Sequence, residues 1–141
     1  MPVRKASAVW DGSLKEGKGN IKLGSGAFQG AYSFGTRFED KPGTNPEELL
    51  GASHAACYSM ALSAGLGKAG FTPEHIATSA DVTLEKFGEG FKITLIKLTT
   101  NATVPNIDEK TFKEIAEKTK TGCPISQALA ATRIELDAKL G

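Results

Sequence analysis

Cys57 and Cys123 are the two cysteines of this 141-residue chain, the smallest set that can run a dithiol–disulfide cycle. Cys57 lies in the apolar run His54-Ala-Ala-Cys57-Tyr-Ser-Met-Ala. On its own that setting equally suits a small core residue on a buried helix, a common place for a free cysteine. Cys123 lies in Gly122-Cys123-Pro124. With Pro124 at the first helical position, Cys123 is the N-cap of a short helix, whose N-terminus favours a thiolate. The plain alternative is an N-cap of modest polarity. Local reasoning therefore makes Cys123 the better nucleophile. Two further charges stand out. Arg37 is either a solvated arginine or, beside the small residues Ser33 and Gly35, a group with room for a ligand or a carboxylate. Glu47 and its neighbour Glu48 fall in the first turn of a helix, where they complement the dipole. Glu47 and Cys57 are ten positions apart, a rise of roughly 15 Å on one straight helix. To share a site they need a kink between them or a Glu47 from a second subunit, and the second subunit is the expectation.

Two other patterns carry less. Gly65-Leu-Gly67-Lys-Ala-Gly70 matches the dinucleotide fingerprint literally. That fingerprint must sit between a strand and a helix. Here it ends a helix, where glycine is a stop signal. A Cys₂His₂ zinc set of His54, Cys57, His75 and Cys123 is conceivable. Its ligands arrive from distant segments, without the paired spacing of zinc modules.

The length suits a single domain over residues 1–141. An apolar fraction of 40% is too high for disorder. With 17 basic and 16 acidic residues the net charge is +1, which offers no footprint for nucleic acid or an anionic membrane. No apolar segment follows Met1-Pro-Val-Arg-Lys5 to make a signal peptide, and no apolar run is long enough to span a bilayer. The expectation is a cytoplasmic protein with reduced thiols, in which a cysteine pair is catalytic, redox-sensing, metal-binding or simply buried.

The elements that must position these residues read as α+β. Val3–Trp10 suits a first strand, and the Gly-rich stretch 11–30 suits turns around a short strand at Ile21–Leu23. Ala31–Phe38 alternates, which predicts a strand with Tyr32, Phe34, Thr36 and Phe38 on one face and Ser33, Gly35 and Arg37 on the other. A helix then starts at an Asn45 cap, with Pro46 at its first position and Glu48 at the capping-box position, and runs to about Gly67. From Leu49 to Leu66 it has no formally charged residue. A helix apolar all round must be buried on all sides. So short a chain has little with which to surround it, which predicts a homodimer with this helix near its centre. Strands follow at Asp81–Phe87, with Val82 and Leu84 inward, and from Phe91, with Phe91, Ile93 and Leu95 and then Ile96, Leu98 and Val104 inward. The slip in phase predicts a β-bulge at Leu95–Ile96. A second helix starts at Asp108, with an Ile107–Phe112 staple, an inner stripe of Phe112, Ile115, Ala116 and Thr119, and Gly122 at its C′ position. Pro124 opens a short helix to about Ala130, and Arg133–Lys139 closes the chain as a strand with Ile134 and Leu136 inward.

Thr36-Arg37-Phe38-Glu39, Thr44-Asn-Pro-Glu47-Glu-Leu, His54-Ala-Ala-Cys57 and Gly122-Cys123-Pro124-Ile-Ser126, in this order over nearly the whole chain, together resemble the osmotically inducible protein C (OsmC) family. The Thr-Arg-Phe-Glu segment is similar to the OsmC branch itself. The sister organic hydroperoxide resistance (Ohr) branch takes its arginine from an earlier segment. The resemblance implies a thiol-dependent peroxidase without a cofactor, folded as antiparallel sheets wrapped around central helices in an intertwined homodimer. It places the peroxidatic cysteine at Cys57, the resolving cysteine at Cys123, and the activating pair at Arg37 and Glu47, reversing the local ranking of the thiols. It further implies an organic hydroperoxide as substrate, hydrogen peroxide as a weaker one, and dihydrolipoamide or a lipoylated protein as the dithiol reductant. A zinc-binding protein and a non-catalytic dimer that binds an apolar ligand are the alternatives.

Overall fold

Ala6–Asp11 (β1), Lys18–Leu23 (β2) and Gln29–Tyr32 (β3) form an antiparallel sheet in the order β1-β2-β3 in the computed structural model, which describes residues 1–141. Trp10 pairs with Gly19, and Gly19 with Tyr32, across this sheet. The two rings come within 5.4 Å of each other, and a Cβ on Gly19 would lie 2.5 Å from Tyr32 and 2.7 Å from Trp10. Only glycine lets the rings close over the middle strand. The first strand begins three residues later than Val3, and the second three residues earlier than Ile21.

The strand expected over Ala31–Phe38 stops at Tyr32. Phe34–Phe38 is a short helix (α1), because Ser33 and Thr36 make a reciprocal capping box. The Thr36 backbone N–H donates to Ser33 Oγ at 3.3 Å and the Ser33 backbone N–H to Thr36 Oγ1 at 2.9 Å. Aromatics at positions 34 and 38 satisfy a strand alternation and a helical i,i+4 contact equally, and the side-chain hydrogen bonds decide for the helix. The two rings meet at 5.0 Å. Arg37 is therefore not opposite an aromatic face: its guanidinium lies 5.2 Å from the Phe38 ring centre.

Pro46–Lys68 is one helix (α2), capped as expected, with the Glu48 N–H donating to Asn45 Oδ1 at 2.8 Å. It ends in a Schellman pattern, Phe71 N–H to Leu66 O and Gly70 N–H to Gly67 O, with Gly70 at φ +92°. The fingerprint-like glycines are that stop signal. Within this chain α2 buries one stripe, Gly51, His54, Tyr58, Leu62 and Leu66, and leaves Ala52, Ser53, Ala56, Met60 and Ala64 exposed. The chain alone thus covers one side of the helix, not all of it.

His75–Phe87 (β4), Gly90–Thr103 (β5) and Arg133–Leu140 (β6) make the second sheet, β4-β5 antiparallel and β5-β6 parallel. A parallel neighbour needs a long crossover, supplied here by Glu109–Gly122 (α3) and Pro124–Ala128 (α4). The bulge is present but earlier than expected: Thr83 pairs with Leu95 and Leu84 with Ile93, so Thr94 is the extra residue. It shifts the core-facing set to Ile96, Leu98, Thr100 and Ala102, while Phe91, near the hairpin tip, is 53% exposed instead of inward. Asp108 caps α3 as expected, and Phe112, Ala116 and Thr119 are buried. Gly122 is not at C′: it is the last helical residue, and the extended Cys123 takes the cap.

Contacts divide the chain into two compact units, Met1–Leu49 and Leu50–Gly141, with the boundary after the first turn of α2. The second holds the core, where Tyr58, Leu62 and Leu66 pack with Ile96, Leu98, Phe112, Ala116 and Ala138. A polar seam lies beside it: Ser59 Oγ donates to Thr78 Oγ1 at 2.8 Å, and Thr78 meets Thr100 at 2.8 Å. Tyr58, fully buried, donates to the Ala116 carbonyl at 3.0 Å and so ties α2 to α3. Tyr58→Phe is expected to lower stability in urea unfolding by about 1 kcal/mol, the worth of one internal hydrogen bond, with the fold unchanged by circular dichroism.

Candidate functional site

The segment between α1 and α2 assembles Arg37 and Glu47. Asn45 does two jobs with one amide: Oδ1 caps α2, and Nδ2 donates to the Thr36 carbonyl at 3.0 Å. That ties the residue before Arg37 to the residue just before Pro46. Gly43, at φ +144°, lets the loop pass close to Thr36, whose Cγ2 would lie 2.7 Å from a Cβ there. With both ends held, Arg37 Nε donates to Glu47 Oε1 and a terminal nitrogen to Oε2, each at 2.9 Å. The pair is bidentate. Arg37 is 34% exposed and Glu47 11%. An exposed ion pair adds about 0–1 kcal/mol to stability, so its larger consequence is to hold the guanidinium in one orientation. The Arg37 side chain borders an open cleft of about 200 Å³ walled by Trp10, Leu14, Tyr32, Phe34 and Phe38. The cleft offers one cation within a largely apolar wall.

Cys57 and Cys123 are both free thiols. Cys57 stands mid-helix on α2 and is half-buried; Cys123 is 1% exposed. The two side chains interact, although they are far apart in sequence. Burial pushes the Cys57 thiol above its ordinary value; a hydrogen bond from the Ile125 backbone pulls it part of the way back, and the hydrogen bond and charge of Cys123 push it up again. Cys123 is at once the C-cap of α3 and the N-cap of α4, at φ −65° and ψ 142°. A helix of five residues carries little macrodipole, and the donor it supplies is local: the Ser126 N–H reaches Cys123 Sγ at 3.3 Å.

Ser126 and His54 complete this cluster, a role for which sequence reasoning did not single them out. Ser126 Oγ lies 3.1 Å from Cys123 Sγ and 2.7 Å from His54 Nε2. Ser126 was foreseeable from the capping rule, which brings the third helical residue back to the N-cap side chain. Nothing local pointed from His54 to Ser126, 72 positions away. The zinc set does not assemble, since no group of three or more His, Cys, Asp or Glu residues lies together.

His54 is fully buried, and burial lowers its pKa from 6.5. A base whose folded pKa is depressed adds stability that is full above its unfolded pKa and is lost as pH falls through the folded one. His54→Gln is therefore expected to reduce the fall in Tm between pH 7.5 and pH 5.5; an unchanged slope would show that His54 stays neutral, or charges, alike in both states.

The family model for OsmC-like proteins matches residues 38–139. The chain is 54% identical over 138 residues to the peroxiredoxin OsmC of Escherichia coli (strain K12), covering 97% of this chain and 96% of that protein. It is 29% identical over 112 residues to the organic hydroperoxide resistance protein OhrB of Bacillus subtilis (strain 168), covering 72% and 71%. Among solved structures, an OsmC-like protein of unknown function from Vibrio cholerae superposes with a TM-score of 0.77 at 15% identity, covering 98% of this chain and 99% of that one. The matched span reaches from the end of α1 through β6 and takes in both cysteines. On the family match and the near full-length identity, this chain belongs to the OsmC family.

Proposed function

We propose that the protein is a cysteine-based peroxidase that reduces organic hydroperoxides. The observation that carries this reading is the meeting of two free thiols from α2 and the α3–α4 junction, in a chain 54% identical to a peroxiredoxin. Cys57 is the peroxidatic residue: its thiolate attacks the distal oxygen of ROOH, the O–O bond breaks, and the alkoxide leaves as alcohol after taking a proton. Cys57 becomes a sulfenic acid. Cys123 condenses with it, giving a disulfide and water. An external dithiol reduces that disulfide, and the resemblance to the family favours dihydrolipoamide or a lipoylated protein.

Burial alone leaves Cys57 a poor thiolate, so an opposite charge must come to it. Arg37 is the candidate, oriented and part-neutralised by Glu47. The aromatic cleft beside Arg37 suits an alkyl or lipid chain better than hydrogen peroxide. Glu47 and Cys57 lie ten residues apart within α2, about 15 Å of rise, which favours an Arg37–Glu47 pair serving the Cys57 of a second subunit. The exposed small-residue side of α2, with Met60 at 76% exposure, and a first sheet in which Gly19 alone is buried support a homodimer. Residues 1–141 are taken as one OsmC-like domain, because the near full-length relative runs through both units.

Cys57→Ser is expected to abolish turnover of cumene hydroperoxide with dihydrolipoamide as donor. Cys123→Ser is expected to gain one oxygen by intact mass and then stall, whereas the native chain loses two hydrogens. If Cys57→Ser stayed active and Cys123→Ser could not be oxidised, the two roles would be exchanged. Arg37→Met is expected to slow the first oxidation about 10-fold or more near neutral pH. The rate should recover as pH rises, since the uncompensated Cys57 thiol ionises only in more alkaline solution; stopped-flow rates across pH check the direction.

A further inference from the structure

His54, Ser126 and Cys123 form a wholly buried polar chain at the edge of the apolar core, with exposures of 0%, 2% and 1%. The peroxidase chemistry above uses the cysteine but neither of the other two. Buried polar groups survive when each hydrogen bond is made, and here one is not: His54 Nδ1 is buried without a partner.

That orphan decides the tautomer. A buried N–H without an acceptor costs more than a buried acceptor without a donor. The ring hydrogen therefore belongs on Nε2, which donates to Ser126 Oγ at 2.7 Å. Burial keeps the ring neutral at neutral pH, consistent with a single hydrogen. With one lone pair of Oγ occupied by His54, the hydroxyl hydrogen of Ser126 is left to turn toward Cys123 Sγ, 3.1 Å away. The thiol S–H can donate to Oγ before it loses its proton, and the hydroxyl can donate back afterwards. The change needs only rotation about the Cβ–Oγ bond. Sγ then receives two donors from one residue, the hydroxyl and the backbone N–H at 3.3 Å.

Resting on the peroxidase reading, we infer that His54 is a positioning residue for disulfide formation, acting through Ser126 to stabilise and aim the Cys123 sulfur at Cys57. In that step the negatively charged Cys123 Sγ attacks Cys57 Sγ. The S–S bond forms and the S–O bond of the sulfenic acid breaks. Hydroxide leaves and becomes water with the proton that Cys123 gave up. The peroxide already consumed is the oxidant, so no further reagent is needed. The same two donors hold the charge on Cys123 when it leaves during reduction.

The test is a single turnover of the reduced full chain with limiting cumene hydroperoxide. Peroxide loss times the first step, and quenched intact mass with dimedone trapping times the second. His54→Leu is expected to slow disulfide formation about 10-fold more than it slows the first oxidation, roughly the worth of the one internal hydrogen bond that orients the Ser126 hydroxyl, and to raise the trapped sulfenic acid. His54→Gln, whose amide can donate from nearly the same place, should restore most of the rate. Ser126→Ala should slow the same step, and adding His54→Leu to it should slow it no further. The inference is overturned if both steps slow alike, if Gln rescues no better than Leu, or if the Leu and Ala effects multiply. Should His54→Leu fail to fold, an unslowed Ser126→Ala overturns it equally. A native chain that consumes no peroxide would sink the peroxidase reading and this inference with it. Normal native turnover with insensitive variants would sink the inference alone.

Discussion

The covering of α2 is the constraint on which the rest of the second unit depends. Between Leu49 and Gly67 this helix has no charged side chain to keep any face in water. One stripe of it, His54 through Leu66, is roofed by β5, β6 and α3. Tyr58 and Ser59 add the hydrogen bonds that hold the helix in one rotation. Cys57, next to Tyr58, cannot then turn freely, and its half-burial follows from its place at the margin of the stripe. The feature that makes the cysteine well placed also makes it a reluctant thiolate, since desolvation disfavours the charge. A reactive Cys57 therefore requires compensation beyond the Ile125 backbone hydrogen bond, since Cys123 adds to the penalty instead of relieving it.

The junction at Cys123 answers a second constraint. A parallel β5–β6 pair obliges the chain to travel from one end of the sheet to the other, and α3 and α4 are that journey. Between them one residue must end a helix and begin the next. Cys123 does both, its N–H donating back to Thr119 O and its sulfur accepting from Ser126 N–H. The backbone is thus held on both sides of the thiol. A cysteine whose main chain is pinned and whose sulfur meets defined donors can be aimed, which a cysteine on a loose loop cannot.

Where pattern reading failed, two period rules competed over the same residues. Aromatics at 34 and 38 fit a strand and a helix alike, and the hydroxyl pair Ser33–Thr36 broke the tie by closing a helical turn. The bulge in β5 was legible from the slip in its apolar phase. Its seat at Thr94 was not, because the register against β4 sets which residue goes unpaired. Gly122 is a good stop residue in isolation, yet the turn that follows needs no left-handed residue once Cys123 adopts an extended backbone.

From the sequence alone came the α+β class, the caps at Asn45 and Asp108, the uncharged central helix, the two-thiol inventory and, through its motifs, the OsmC resemblance. All of these depend on residue type and short spacing, where local sterics and hydrogen bonding suffice. Tertiary structure decided that Arg37 is clamped by Glu47 at two points, that Cys57 and Cys123 meet, and that His54 reaches across 72 positions to Ser126. Such contacts form only when separate elements pack in one register. No local propensity encodes that register, because it is selected by the burial of the whole apolar set at once.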